Sequence, residues 1–248
     1  MIAGREKQSK KASRSEIITI DGPAGAGKST VSKILARRLG SLYLDTGAMY
    51  RAVALWAEFE DINPEDEAAL ERLCRKLNIS FRGKGRSQRL ICQGEDVTEK
   101  IREPRIGWMA STVSLKRPVR EAMVRLQRQI GKQGKVVAEG RDTGTVVFPG
   151  ANYKFFLDAN PEERARRRHR ELTSKGHSLE IEEVKNELQE RDKQDSTREL
   201  APLRPAEDAC YIDSTGLKPE EVDLVFNKIR DKLSKKLSMQ LRRNSRPF

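Results

Sequence analysis

The chain has 248 residues, 36% hydrophobic and 35% charged, with three cysteines and a formal net charge of +12. That length suits one α/β domain with insertions. The composition lacks the apolar run of about 18 residues that a membrane span needs, and the N-terminal "MIAGREKQSKKASRSE" lacks the apolar stretch of a secretory signal, so a cytoplasmic protein is expected.

Residues 1–16 carry five basic and two acidic side chains and residues 228–248 carry eight and one, which places ten of the twelve net charges at the two ends. These basic ends, 1–15 and 235–248, read as solvated tails rather than a dedicated nucleic-acid site. Cys74, Cys92 and Cys210 have spacings that suit neither zinc nor a disulfide framework, and read as reduced apolar residues.

In chain order, "EIITID" is a β-branched run, "GPAGAGKST" a glycine-rich loop and "VSKILARRLG" a helical pattern closed by Gly40. "SLYLD", "KVVAE", "YKFFLD" and "ACYIDS" are four further short runs bounded by turn or helix-start residues. With helical stretches between them, the expectation is a parallel sheet of about five strands flanked by helices. Two stretches interrupt the alternation. Residues 64–100 read as a helix and then a small hairpin around "RGKGRSQ". Residues 160–178 read as an arginine-rich helix in which Asn160 is the N-cap, Pro161 the first helical residue and Glu163 the second half of a capping box.

Gly22 to Ser29 match G-x-x-x-x-G-K-[ST] between a strand and a helix, the context in which this motif cradles nucleotide phosphates. The expected cradle runs over Gly22, Pro23, Ala24, Gly25, Ala26, Gly27 and on to Thr30, every residue but Pro23 offering a backbone N–H and Pro23 contributing shape alone. Lys28 should reach the β and γ phosphates, and the Ser29 hydroxyl is the candidate Mg²⁺ ligand. The "GRDTG" of "AEGRDTGTVVFPG" leaves three roles open for its charged pair: a metal carboxylate, a ligand reader or a solvated turn.

In the helix from Ile181, an inward stripe of Ile181, Val184 and Leu188 runs on into Arg191, Asp195 and Arg198. Charge on a core-facing stripe is costly unless it is paired or bound to ligand. The plain alternative is an Arg191–Asp195 ion pair. Arg164, Arg167 and Arg168 share one helical face and suit the charge neutralisation of phosphoryl transfer. Asp158, which ends "KFFLD", reads as the end of a strand before a capped helix rather than a hydrolytic carboxylate. His169 and His177 are the two histidines, and neither has an evident orienting partner. A phosphate acceptor, with a second pKa of about 6, needs no general base at pH 7.

The segments "ITIDGPAGAGKST", "YLDTGAMYRA", "RPVREAMVRLQR", "AEGRDTGTVVFP", "ERARRR" and "ERDKQDSTRELAPLRPAEDA", in this order, resemble the bacterial cytidylate kinases from about Ile17 to Leu233. The resemblance implies ATP and CMP or dCMP as substrates, Mg²⁺ as cofactor, and a P-loop kinase core with a monophosphate-binding insert (64–100) and a lid (160–178). It also implies residue roles. Thr46 and Arg51, assisted by Arg141, would hold the acceptor phosphate; Ser111, Arg120 and Asp142 would read cytosine; Arg191 and Asp195 would contact the ribose. Arg198 and the lid arginines Arg164, Arg167 and Arg168 would serve the phosphates. Serine at position 29 and threonine at position 46 depart from residues common in that family, glycine and serine. A monomer with no specific nucleic-acid or membrane partner is expected. Two other readings compete: a kinase of a small hydroxyl metabolite with Asp45 as base, and a nucleic-acid-associated NTPase acting through the basic ends.

Overall fold

The computed structural model describes residues 16–83 and 87–217, together with Asn227 and Asp231; the basic ends of the sequence reading lie outside the described residues. The five expected strands form one parallel sheet. They are β1 (Ile17–Asp21), β2 (Leu42–Asp45), β6 (Val136–Gly140), β7 (Tyr153–Asp158) and β8 (Cys210–Asp213), in the order β2-β6-β1-β7-β8. The central strands are buried along nearly their whole length because helices cover both faces, and their acidic residues gather towards the carboxyl ends, at Asp21 and Glu139. Ile18 and Ile20 of β1 and Val136, Val137 and Ala138 of β6 are all buried. Each aliphatic side chain removed from water in this way contributes about 1.5–3 kcal/mol.

Between residues 16 and 217 the α-helices among the described residues are α1 (Lys28–Leu39), α2 (Thr46–Phe59), α3 (Glu67–Lys76), α4 (Pro104–Val113), α5 (Arg117–Gly131), α6 (Pro161–Ser174) and α7 (Ile181–Thr197). The helix-and-hairpin expectation for 64–100 corresponds to α3 and a separate antiparallel sheet of β3 (Ile79–Arg82), β4 (Arg89–Cys92) and β5 (Glu95–Asp96). The two-residue β5 was not anticipated, because both of its residues are acidic and exposed. Cys74, Cys92 and Cys210 are free thiols, and burial pushes the first two up, to about 11 and about 12.

Asn160 caps α6 by accepting from the Glu163 N–H at 2.8 Å. The return half of that capping box is replaced by an ion pair, Glu163 taking Arg167 at 2.9 Å. A reciprocal box sits instead at the start of α7, between Glu180 and Glu183. Ile181 is 42% exposed, so the inward stripe of α7 begins at Val184. α6 and α7 pack on one another through Ala165, Leu172, Val184 and Leu188, and this small core includes Ala24 of the glycine-rich loop. No helix among the described residues is long and apolar enough to cross a membrane.

Candidate active site

In a parallel sheet of this kind ligands bind beyond the carboxyl ends of the strands, where the chain reverses its winding. A cavity of about 630 Å³ lies there. The loop after β1 supplies Ala24 to Thr30, the start of α2 supplies Thr46, Tyr50 and Arg51, and the loop after β6 supplies Gly140, Arg141 and Asp142. The walls are completed by Ser111 of α4, Arg120 of α5, Arg167 and Arg168 of α6, and Arg191, Asp195 and Arg198 at the end of α7.

Three expected residues lie outside that wall. Gly22 sits at the foot of the loop against the Leu157 carbonyl, and Pro23 turns its carbonyl to the Lys28 ammonium at 2.6 Å. Arg164 is spent on structure: it donates to the carbonyls of Ala159 (2.9 Å) and Ala24 (3.1 Å) and pairs with Asp192, tying α6 to the loop and to α7. The segment 64–100 also contributes no described residue to the cavity; Arg102, Glu103 and the α4 residues Pro104, Gly107, Ala110 and Ser111 form that wall instead. The reason lies in the chain path. The insert's small sheet packs on the α2–α5 core, and the chain reaches the cleft as it leaves the insert.

The charged pair of "GRDTG" is buried and paired. Asp142 faces Arg120, whose guanidinium lies 5.7 Å from the centre of the Tyr50 ring. Arg141 donates from Nε to Asp195 at 2.8 Å, and Arg198 stands between Asp195 (3.3 Å) and Asp142 (3.8 Å). Asp195 therefore takes Arg141 and Arg198, and the simple Arg191–Asp195 pair is not formed. Burial pushes the Asp195 carboxyl up, but Arg141, Arg198 and Arg191 together outweigh it and hold it below the ordinary carboxylate range. Ser111 donates to the Gln194 side-chain oxygen at 2.9 Å.

Four lining residues keep a buried polar atom with no hydrogen-bond partner: Arg51 Nε, Glu139 Oε2, Arg191 Nε and Arg198 Nη2. Unmet buried donors of this kind are rare in folded proteins and point to a missing acceptor. Three of the four belong to guanidinium groups. Burial and the neighbouring Arg141 charge pull Arg191 down to about 10, and the same two causes pull Lys28 down to about 7. The cavity thus holds more positive charge than its own carboxylates neutralise, which suits an anionic ligand.

Glu139 escaped the sequence reading although it ends "KVVAE". Its signal was positional: it is the last but one residue of the strand beside β1, opposite Asp45 in the β2–β6 register. It is 5% exposed, and its Oε1 accepts from Ser29 Oγ at 2.7 Å and Tyr43 OH at 2.6 Å. Burial, and next the Asp45 charge, push its carboxyl up, a cost that a cation would remove. Asp45, weighed as a base, instead caps α2 through the Ala48 N–H at 2.8 Å and faces Arg51 at 3.4 Å. Asp158 binds the Ala159 N–H and the Tyr211 hydroxyl and lies off the cavity. Neither histidine lines the cavity, and His169 Nε2 meets the Leu179 carbonyl at 2.8 Å.

The model of the cytidylate kinase family matches residues 18–233, which include all of the parallel sheet except Ile17 and every residue that lines the cavity. The chain belongs to the cytidylate kinase family. Within it, a cytidylate kinase from Geobacter sp. (strain M21) is 51% identical over 219 residues, covering 88% of this chain and 94% of that one. A cytidylate kinase from Carboxydothermus hydrogenoformans is 52% identical over 205 residues, covering 83% and 92%. Among solved structures, a shikimate kinase from Bacteroides thetaiotaomicron aligns at a TM-score of 0.47 with 12% identity, over 88% of this chain and 98% of that one, too distant to bear on the site.

Proposed function

We propose that this member of the cytidylate kinase family transfers the γ-phosphoryl group of ATP to CMP or dCMP, as a cytoplasmic monomer. The observation that carries the reading is that Asp142, Arg120 and Ser111 line the same cavity as the glycine-rich loop, with Asp142 and Arg120 in direct contact. Cytosine presents an amine donor beside the acceptors N3 and O2. A carboxylate to receive the amine and a guanidinium and hydroxyl to donate to the acceptors are its complement. Uracil would put a carbonyl against Asp142, and a buried mismatch of that type is worth on the order of 10⁴-fold in discrimination.

Thr46, Arg51 and Arg141 are assigned to the acceptor phosphate, and Arg191 and Asp195 to the sugar. The partnerless Nε atoms of Arg51 and Arg191 support an anionic nucleotide there. Lys28 and the loop N–H groups take the donor phosphates; Lys28 would leave the Pro23 carbonyl and regain its charge on doing so. Arg167, Arg168 and Arg198 neutralise charge on the transferring group. Arg164 acts behind them by holding α6 on the loop. The acceptor phosphate is already an anion at neutral pH, so the reaction needs alignment and charge neutralisation and no side chain to remove a proton.

Ser29 and Glu139 fit a Mg²⁺ site: a hydroxyl and a carboxylate with one partnerless buried oxygen, beside Asp45. Among the described residues no three His, Cys, Asp or Glu side chains are grouped so as to hold a metal ion. Mg²⁺ in phosphoryl-transfer sites keeps several waters and takes further ligands from substrate phosphates. Bound there, Mg²⁺ would neutralise phosphate charge during transfer.

A coupled assay of ADP formation with ATP and CMP, dCMP, UMP, AMP or GMP tests the proposal. CMP and dCMP should be phosphorylated at least about 100-fold better than AMP and GMP. AMP or UMP outrunning CMP would overturn the base-reading assignment.

A further inference from the structure

Asp21 closes β1, is 4% exposed and stands opposite Gly140 in the β1–β6 register. Although the glycine-rich loop begins at the next residue, the Asp21 carboxylate faces the other way. Its Oδ1 accepts from the Thr143 N–H at 2.9 Å and the Thr143 hydroxyl at 2.7 Å, and its Oδ2 accepts from the Gly144 N–H at 2.7 Å. A buried carboxylate is tolerated when donors surround it. Here three donors come from the first two residues of a single π-helical turn, Thr143–Val147, that starts directly after Asp142.

The far end of that turn is held as firmly. Arg128 of α5 donates from Nε to the Val147 carbonyl at 2.9 Å and from Nη2 to the Val146 carbonyl at 2.8 Å. The turn closes on itself through Val146 N–H to the Asp142 carbonyl at 2.9 Å. The two glycines bracketing Asp142 allow the close approach this requires. A Cβ on Gly140 would lie 2.5 Å from Thr46 Oγ1, and one on Gly144 would lie 2.9 Å from Thr19 Oγ1. Asp142 is therefore the side chain of a backbone segment pinned on both sides, with Arg120 waiting for it.

We propose that Asp21 is a positioning residue for acceptor choice: it fixes the Thr143–Gly144 backbone, and through it the place at which Asp142 meets the pyrimidine base. The inference rests on the acceptor reading given above. It predicts an effect on the acceptor that is separate from the donor, even though Asp21 borders the donor loop in sequence. A displacement of about 1 Å in a positioned group can cost about 100-fold in rate. Loss of one carboxylate contact should shift the backbone by less than that.

The experiment compares Asp21→Asn, Thr143→Val, Thr143→Ser and Asp142→Asn with the unaltered full chain. It measures KM for CMP, KM for ATP, the ratio of kcat/KM for CMP over UMP, and Tm. Asp21→Asn keeps the volume but sets an amide N–H₂ against an N–H donor. Its KM for CMP should rise about tenfold, with KM for ATP within about twofold and the CMP over UMP ratio lower by about tenfold. Thr143→Val removes the hydroxyl bond alone and should move the same quantities by a few-fold, while Thr143→Ser restores them. The inference is overturned if folded Asp21→Asn raises both KM values together or leaves the base ratio unchanged. If Asp21→Asn does not fold, an unchanged base ratio in Thr143→Val overturns it. Should Asp142→Asn itself leave the base ratio untouched, the acceptor reading fails; should Asp142→Asn shift it while Asp21→Asn and Thr143→Val do not, this inference alone fails.

Discussion

The Asp142–Arg120 wall, proposed to receive the acceptor, and the α6–α7 pair both present charge to the same cavity, but they are built differently. On the wall, Asp142 and Arg120 have 7% and 6% exposed side chains, come from the loop after β6 and from α5 beside the main core, and neutralise each other. On α6, Arg168 is paired with Glu171 three residues along its own helix at 2.8 Å, in a half-exposed position. A buried pair that loses a partner leaves a stranded charge, whereas a local surface pair is worth only about 0.3–0.5 kcal/mol. The wall is thus costly to rearrange and suited to selecting a ligand. Arg168 can exchange its carboxylate for a phosphate at little cost and suits transient charge neutralisation, whereas its neighbour Arg167 is held by Glu163, Ser214 and Leu217. The α6–α7 pair also carries its own small core, joined to the glycine-rich loop through Ala24 and the Arg164 contacts.

The largest expected effect tests the wall. Asp142→Asn should lower kcat/KM for CMP about 10³-fold, with KM for ATP within about twofold. Equal loss for both nucleotides would point to a metal role for Asp142 and dissolve the contrast. Next in size, Arg168→Ala should lower kcat about tenfold to 100-fold and leave the CMP over UMP ratio unchanged. A change in that ratio would mean that α6 reads the base too. The smallest effect concerns the donor end. Lys28 is held near 7 by burial, so at pH 8 it is largely neutral in the free protein, and phosphates should raise its pKa again. ATP binding at pH 8 should take up as much as about one proton, and at pH 6 close to none, as read by calorimetry in buffers of different ionisation enthalpy. The same shift runs below the ordinary lysine value, so between about pH 7 and 10 the ligand-free fold should gain stability as pH rises.

Local pattern made much of this molecule legible. A β-branched run followed by glycines, a lysine and a helical period has few other folded solutions, and all five sheet strands fall where their apolar runs predicted. The eight residues assigned to the acceptor by resemblance all line the same cavity, because strand ends, helix starts and the far ends of α4 and α7 converge at the carboxyl edge of the sheet. What stayed hidden depends on contacts across long sequence distances. Glu139 reads as one more residue of a buried strand until β6 is placed beside β1 and Ser29 arrives from 110 residues away. Arg164 and Arg168 look alike on a helical wheel, yet only packing turns Arg164 onto the Ala24 carbonyl and leaves Arg168 for the cavity. Asp21 is indistinguishable in sequence from a strand-end aspartate, and the bonds that define its work span more than 120 residues. Sequence by itself thus determined the elements, their order and the chemistry available, because periodicity and motif spacing are local. Tertiary structure alone decided which charges pair, which remain unmet and which carboxylate holds the Thr143–Gly144 backbone, because electrostatic partners in a buried cleft are chosen by proximity in space.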